Sequence, residues 1–395
     1  MGAPVVALTL LLAACGPLQV VPVAKPEPQA RAPVEAPQVP TAEPEALPSE
    51  PLEAGPVKVG LLLPLSGSNA GLGQALLQAA EMALFEKSPK DFELVVRDTE
   101  GLGGAAVAAQ QLVGEHVELI LGPLFGAQVP TAAAAARGAA IPIISFSTDL
   151  SVAGPEVYVM GVLPQLQVER VVNYAVARNY HRFAGLLPNS PFGRTIASAL
   201  QASVAEAGAT LGQVEFYDPS SPDLHLNVER LAGAKGSFDA LLIPEAGERL
   251  KLFAQLMQYY AFDQTTTRVL GSALWNDPSL AQQPALVGAW FATPPNAAWD
   301  AFQQRYQANY GVPAPRLASI AYDATALAIA LVAAGDGPNF GVDVLTQPEG
   351  FSGIDGIFRF RPDGGVERGL SIMELQNGRI ETIDPAPTSF QPPIS

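Results

Sequence analysis

The sequence predicts an α/β fold of two lobes, each a largely parallel sheet covered by helices, preceded by an extended proline-rich tether. Three observations carry this expectation. Short apolar runs alternate with helix-length amphipathic stretches, and the alternation occurs twice in succession between residues 57 and 271. The chain has 395 residues, 48% of them hydrophobic, with a mean hydropathy of +0.21, enough apolar material for a large core. Residues 16–56, by contrast, hold eleven prolines among 41 residues, a density that removes amide donors, fixes φ and prevents a packed core.

The elements follow in order. Residues 57–63, VKVGLLL, read as a buried strand and 64–68 as the loop after it. Residues 71–87 place Leu72, Leu76, Ala79, Ala80, Ala83 and Leu84 on one helical face. Strands at 92–96, 117–121 and 141–145 alternate with helices at 104–113 and 129–137. Parallel strands joined by such helices form right-handed crossovers. The second series begins after Leu163-Pro164. It has helices at 168–179, 193–207, 224–232 and 248–260, with strands at 182–187, 210–217, 238–243 and 268–271. Two βα series argue for two lobes rather than one oversized sheet. Beyond them lie helices at 299–310 and 317–333, and a hairpin-like tail with strands at 357–360 and 367–375 around the turn Arg361-Pro362-Asp363-Gly364-Gly365.

The amino terminus has its own pattern. Residues 4–14 are uncharged and apolar, long enough for the core of a signal peptide and too short to span a bilayer. Leu12-Ala13-Ala14-Cys15-Gly16 follows, with the chain's single cysteine. Leu12-Ala13-Ala14-Cys15 is similar to the lipobox of bacterial lipoproteins, in which the leader is cleaved before a cysteine that becomes acylated. That places lipid on Cys15 and the membrane among the partners, two or three acyl chains being sufficient for stable anchoring. Met1-Gly2-Ala3 lacks the basic residue usual in such leaders. Extended at about 3.1 Å per residue, residues 16–56 reach on the order of 120 Å.

Composition excludes several classes. Asp and Glu number 38 against 22 Lys and Arg, a net charge of −16, so a nucleic-acid partner with its need for a basic face is not expected. Removing the −4 of residues 16–56 (six Glu against Lys25 and Arg31) leaves about −12 for the globular part, which suits a basic patch on a partner. The three histidines, His116, His181 and His225, are far apart in sequence, so no zinc spacing exists, and neither a metal nor a cofactor is expected. No Gly-x-Ser-x-Gly, Ser-x-x-Lys, phosphate-loop or His-Glu-x-x-His motif occurs, and the chain is expected to bind rather than catalyse.

Five segments, in order, resemble the type I periplasmic binding proteins typified by leucine/isoleucine/valine receptors: VGLLLPLSG at 59–67, ILGP at 120–123, IPIIS at 141–145, YDA at 322–324, and FSGIDGIFRF at 351–360 followed by Asp363-Gly364. The resemblance covers about 57–383. It implies two Rossmann-like lobes around a cleft, with the chain crossing between them three times: lobe one from 57–164 plus 294–340, lobe two from 165–293 plus 341–395, after a signal peptide at 1–14 and a linker at 15–56. The ligand site falls outside the carboxyl ends of the strands, which nominates Ser66, Gly67, Leu124, Phe125, Phe146, Ser147, Thr148, Asp149, Asn189, Phe192, Glu245, Trp275, Tyr322 and Asp323.

The pocket departs from an amino-acid receptor. Leu124-Phe125-Gly126 stands where such receptors offer serine, and Gly271-Ser272-Ala273-Leu274-Trp275 lacks the acid that would pair an ammonium. Together with the Cys15 motif and the proline-rich stretch, and with IPIISFSTD at 141–149 and LIPEAG at 242–247, this resembles the penicillin-binding protein activators. These are outer-membrane lipoproteins facing the periplasm that stimulate a bifunctional murein synthase, a partner the resemblance brings with it. Gly16 rather than Asp after Cys15 fits outer-membrane sorting. The alternative is the substrate-binding lipoprotein of an ABC transporter for amino acids, amides or small peptides, with a small molecule in the cleft.

Overall fold

The computed structural model describes residues 55–87, 89–334 and 339–390. Tertiary contacts divide the chain into Met1–Glu53 and Ala54–Ser395. The expected signal peptide, the lipid-bearing Cys15 and nearly all of the proline-rich linker lie outside the described residues.

The first lobe is built on a five-stranded parallel sheet of order β2-β1-β3-β4-β5, formed by β1 (Val57–Leu63), β2 (Phe92–Asp98), β3 (Leu119–Leu121), β4 (Ile143–Ser145) and β5 (Val157–Val159). Both faces are apolar, as a covered parallel sheet requires. Val59, Leu61 and Leu63 point to the side of α1 (Ala70–Lys87) and α9 (Ala318–Ala333), which pack on each other, whereas Leu62 points to the side of α2 (Gly104–Gly114) and α3 (Val129–Ala136). β5 is additional to the four strands read from the sequence; at three residues it is too short to show a period.

The second lobe has a seven-stranded sheet of order β15-β14-β10-β9-β8-β6-β7. Its parallel part is β6 (Arg182–Pro188), β7 (Thr210–Tyr217), β8 (Ala240–Leu242), β9 (Arg268–Gly271) and β10 (Trp290–Thr293), and β14 (Ser371–Gln376) and β15 (Arg379–Asp384) close the edge antiparallel. The helices α4 (Pro164–Val176) and α5 (Pro191–Glu206) cover one face, α6 (His225–Gly233) and α7 (Gly247–Tyr259) the other. α4 starts four residues earlier than its apolar spacing suggests, because Pro164 stands at the first helical position, where the fixed φ favours the helix and no amide is missed.

After α8 (Asn296–Tyr310), α9 and the short α10 (Val342–Leu345), a third, antiparallel sheet forms from β11 (Phe351–Gly353), β12 (Gly356–Phe360) and β13 (Val366–Arg368). It corrects two expectations. Residues 367–375 are not one strand: β13 and β14 belong to different sheets, separated by Gly369-Leu370. The stretch from 341 to 368, assigned above to lobe two, packs with lobe one, since Leu345, Ile354, Phe358, Phe360 and Val366 join the core of β1, α1 and α9. The third crossing between lobes therefore lies at 369–370, beside those at 160–164 and 294–295.

Candidate ligand-binding cleft

A cavity of about 690 Å³ lies between the lobes. Its second-lobe wall comes from the carboxyl end of β9 (Ser272, Ala273, Leu274 and Asn276) with Gln167 of α4 and Phe192 of α5. Its first-lobe wall is Thr148 after β4, Trp299 of α8, Ala314, Arg316 and Leu317 before α9, Ile320, and Asp355 from the turn between β11 and β12. Val162, Pro164, Thr293 and Pro294, from two of the crossings, line it as well. The open-sheet rule thus holds: the space lies beyond strand ends.

The polar groups of this wall are few and defined. Gln167 bridges lobe and crossing, its Oε1 accepting from the Ala273 amide at 2.8 Å while its Nε2 donates to the Val162 carbonyl at 3.5 Å. Asn276 donates to Asn296 at 2.9 Å. The guanidinium of Arg316 sits 4.4 Å from the Trp299 ring centroid, donates to Ser319 Oγ at 2.9 Å and pairs with Asp355 at 2.5 Å. Asp355 is deeply buried and accepts from Ser319 Oγ at 2.8 Å on its other oxygen.

Behind Asp355 lies a buried charge cluster. Asp323, on α9, accepts from the amides of Ile354 at 2.8 Å and Asp355 at 3.3 Å and so fixes the β11–β12 turn. Gly353 is required there, because a Cβ would run into the Asp323 carboxylate. Burial, and then the charge of Asp355, raise the Asp323 carboxyl out of the ordinary carboxylate range. Arg368, at the last crossing, donates to the Met160 carbonyl at 2.8 Å, and burial lowers its pKa.

Of the residues nominated from the sequence, Thr148 and Phe192 line the cavity. Ser66 and Gly67 form an exposed turn after β1, where the Ser66 hydroxyl bonds Asp98. Burial pushes Asp98 up, but the Ser66, Glu100 and Leu65 hydrogen bonds together outweigh it and hold its pKa low. Leu124 and Phe146 are first-lobe core and Phe125 packs against that core. Ser147 turns its hydroxyl to the Asp149 amide at 2.9 Å, and Asp149 caps the turn at Ser151 at 2.9 Å. Asn189 is exposed after β6, its amide bound to the Tyr217 carbonyl at 2.7 Å. Glu245 is occupied within lobe two by a short hydrogen bond from Tyr217 and by Arg249 at 3.6 Å.

Three nominations are corrected outright. Trp275 is fully buried in the second-lobe core, over Gly271 and near Phe291, its indole N–H donating to the Glu245 carbonyl at 3.0 Å. Tyr322 is first-lobe core; its hydroxyl donates to Glu86 at 2.5 Å and, through burial first and that bond second, is pushed up to about 12. Asp323 anchors the turn just described. An aromatic or acid near a strand end reads the same in sequence whether it faces the cleft or the core. Trp299, Arg316 and Asp355 were missed, and the available signal was an isolated arginine in Ala314-Pro315-Arg316-Leu317 just before an almost wholly apolar helix.

Two α/β lobes with a cavity between them, at the strand ends, make the architecture of a two-lobed binding-protein fold. Residues 56–379 match the family described as "Periplasmic binding protein", and the chain belongs to that family. An uncharacterized protein of Rickettsia prowazekii (strain Madrid E) is 23% identical over 176 residues, 45% of this chain; the chain spans 47% of the length of that relative. Among solved structures, an ABC transporter substrate-binding protein from Sphaerobacter thermophilus superposes with a TM-score of 0.67 at 19% identity, covering 83% of this chain and 96% of the other. A solute binding protein of an ABC transporter from Rhodopseudomonas palustris BisB5, in complex with 3,4-dihydroxy benzoic acid, gives 0.61 at 18% identity, covering 84% and 96%. Among the described residues no helix is long and apolar enough to cross a membrane, and no group of three or more His, Cys, Asp or Glu is placed to hold a metal ion.

Proposed function

We propose that this protein is an extracytoplasmic solute-binding protein, lipid-anchored through Cys15, that captures a small organic molecule between its lobes for an ABC-type permease. The observation that carries this reading is the cavity itself: about 690 Å³, walled by both lobes and by two crossing segments, a size that suits a small organic ligand. The similarity in fold to ABC transporter binding proteins supports it. A second reading, an activator of a bifunctional murein synthase at the outer membrane, is favoured by the Cys15 motif and the eleven prolines of 16–56.

One experiment separates the two. The full-length chain is screened by thermal shift against organic acids, amino acids, amides and short peptides, and in parallel is mixed with a bifunctional synthase in a glycan-polymerisation assay. A ligand at about 100 times its Kd stabilises by about 2.7 kcal/mol, a rise of several degrees. That rise, lost in Phe192→Ala, is expected. Its absence across the screen, with accelerated polymerisation, would overturn the transport reading in favour of the activator.

A further inference from the structure

We propose that the cleft takes an organic anion, its carboxylate resting on Arg316 and its apolar body on Trp299 and Phe192. The proposal rests on the solute-binding reading and specifies its ligand class. Two features of the wall agree on the sign of charge, and a third offers a hydrogen bond.

Arg316 keeps 36% of its side chain exposed, whereas its partner Asp355 keeps 1%. Ser319 Oγ accepts from one of the five guanidinium N–H groups, Asp355 pairs with the guanidinium as an ion without a hydrogen bond between Nη2 and Oδ1, and the guanidinium lies 4.4 Å over the Trp299 ring. This is a pre-oriented donor surface, the arrangement that recognises carboxylates. Next, the amino-terminal turns of four helices contribute to the wall: Pro164 and Gln167 of α4, Phe192 of α5, Trp299 of α8, and Leu317 just before α9. None of these helices has an acidic residue in its first turn, so their positive ends are unopposed by their own side chains. Finally, Ser272, a residue of the cavity wall only 3% exposed, has a buried hydroxyl without a hydrogen-bond partner. A buried donor left unpaired costs about 1–3 kcal/mol, which a ligand oxygen would relieve.

The surrounding charges do not oppose an anion. Asp355 is the one carboxylate in the cavity wall among the described residues; its Oδ2 accepts from Ser319, and its Oδ1 lies in the ion pair with Arg316 without a hydrogen bond. No acid is therefore free to pair an ammonium, and a zwitterion would leave that group desolvated and unpaired. Behind it, Asp323 faces the turn amides and Arg368 faces the Met160 carbonyl.

The test is calorimetric titration of the full-length chain with benzoate, 3,4-dihydroxybenzoate and hexanoate, against benzamide as the neutral isostere of benzoate and isoleucine as the zwitterion. At least one carboxylate is expected to bind at least about tenfold tighter than benzamide and isoleucine. Arg316→Gln leaves Asp355 buried without its cation, so the double variant Arg316→Gln/Asp355→Asn is measured too; its near-ultraviolet circular dichroism checks that it folds. Loss of carboxylate binding by at least tenfold in the folded double variant supports the proposal, as does a smaller loss in Ser272→Ala. Benzamide or isoleucine binding as tightly as the acids, retention of carboxylate binding by the double variant, or no binding of any acid in the panel overturns it. In the first of these cases, sensitivity to Phe192→Ala leaves the solute-binding reading standing, whereas no binding by any probe counts against both.

Discussion

Trp275 decides between two accounts of the same residue. By its place after β9 it reads as a cleft aromatic, but the structure gives it no exposure and ties its indole to the Glu245 carbonyl. Trp275→Ala removes a fully buried ring, a loss of about 3–5 kcal/mol. The unit Ala54–Ser395 has roughly 340 residues, and at about 2.1 cal/mol/K per residue its unfolding entropy is about 0.7 kcal/mol/K. The expected fall in Tm is then about 4–7 °C if both lobes melt together, and about 10–16 °C for a transition confined to the roughly 150 residues of the second lobe. Trp275→Phe keeps a six-membered ring but loses the N–H and part of the buried indole volume. The orphaned Glu245 carbonyl costs about 1–3 kcal/mol, and the variant is expected to lose less stability than Trp275→Ala. Differential scanning calorimetry of both variants without ligand measures this directly and also shows whether the lobes melt as one. A Tm within about 1 °C of the parent for Trp275→Ala, together with lost ligand binding, would refute the assignment to the core.

Asp323 gives a pH dependence with a definite sign. Its carboxyl is raised in the fold, so the native state holds the proton more tightly than the unfolded chain. The stability this contributes is greatest below its ordinary value of 3.8 and declines as pH climbs toward about 7. Asp323→Asn, which cannot titrate, is therefore expected to cost more at pH 5 than at pH 8, read from urea midpoints; an equal or reversed difference removes the claim. At the junction of β6 and α5, a side chain on Gly193 would run into the Pro188 carbonyl oxygen. Gly193→Ala is expected to lose about 1–3 kcal/mol and, by moving the turn that carries Phe192, to weaken ligand binding as well. Gly71, with open space around it in α1, is the control: Gly71→Ala is expected to leave the denaturation midpoint unchanged or slightly raised.

What the sequence shows clearly is whatever repeats locally. The strand 57–63, the helices at 71–87 and 193–207, and the doubling of the βα series follow from periodicity and appear within a few residues of where it places them. The three-residue strands Val157–Val159 and Phe351–Gly353 are too short to show an alternation of their own. The tail misleads for another reason: β13 and β14 are separated by two residues and look like one strand, yet backbone pairing sends them to different sheets. The first-lobe core then draws Phe358 and Phe360 to its own side of the boundary.

The chemistry of the cleft is less legible because it is assembled from separate elements. Arg316 stands before α9, Trp299 on α8 and Asp355 in a turn nearly forty residues further on, and no spacing rule links them. Asp323 holds the amides of that turn, so the residue singled out from the motif Tyr322-Asp323-Ala324 bears on the cleft indirectly: it positions Asp355, which in turn orients the guanidinium. The same turn leads through β12 and β13 to Arg368, whose bond to the Met160 carbonyl joins the third crossing to the first. A ligand touching Arg316 on one side and Ser272 on the other gains most where the lobes bring both within reach, and only such a difference in affinity between lobe arrangements gives it any hold on their equilibrium.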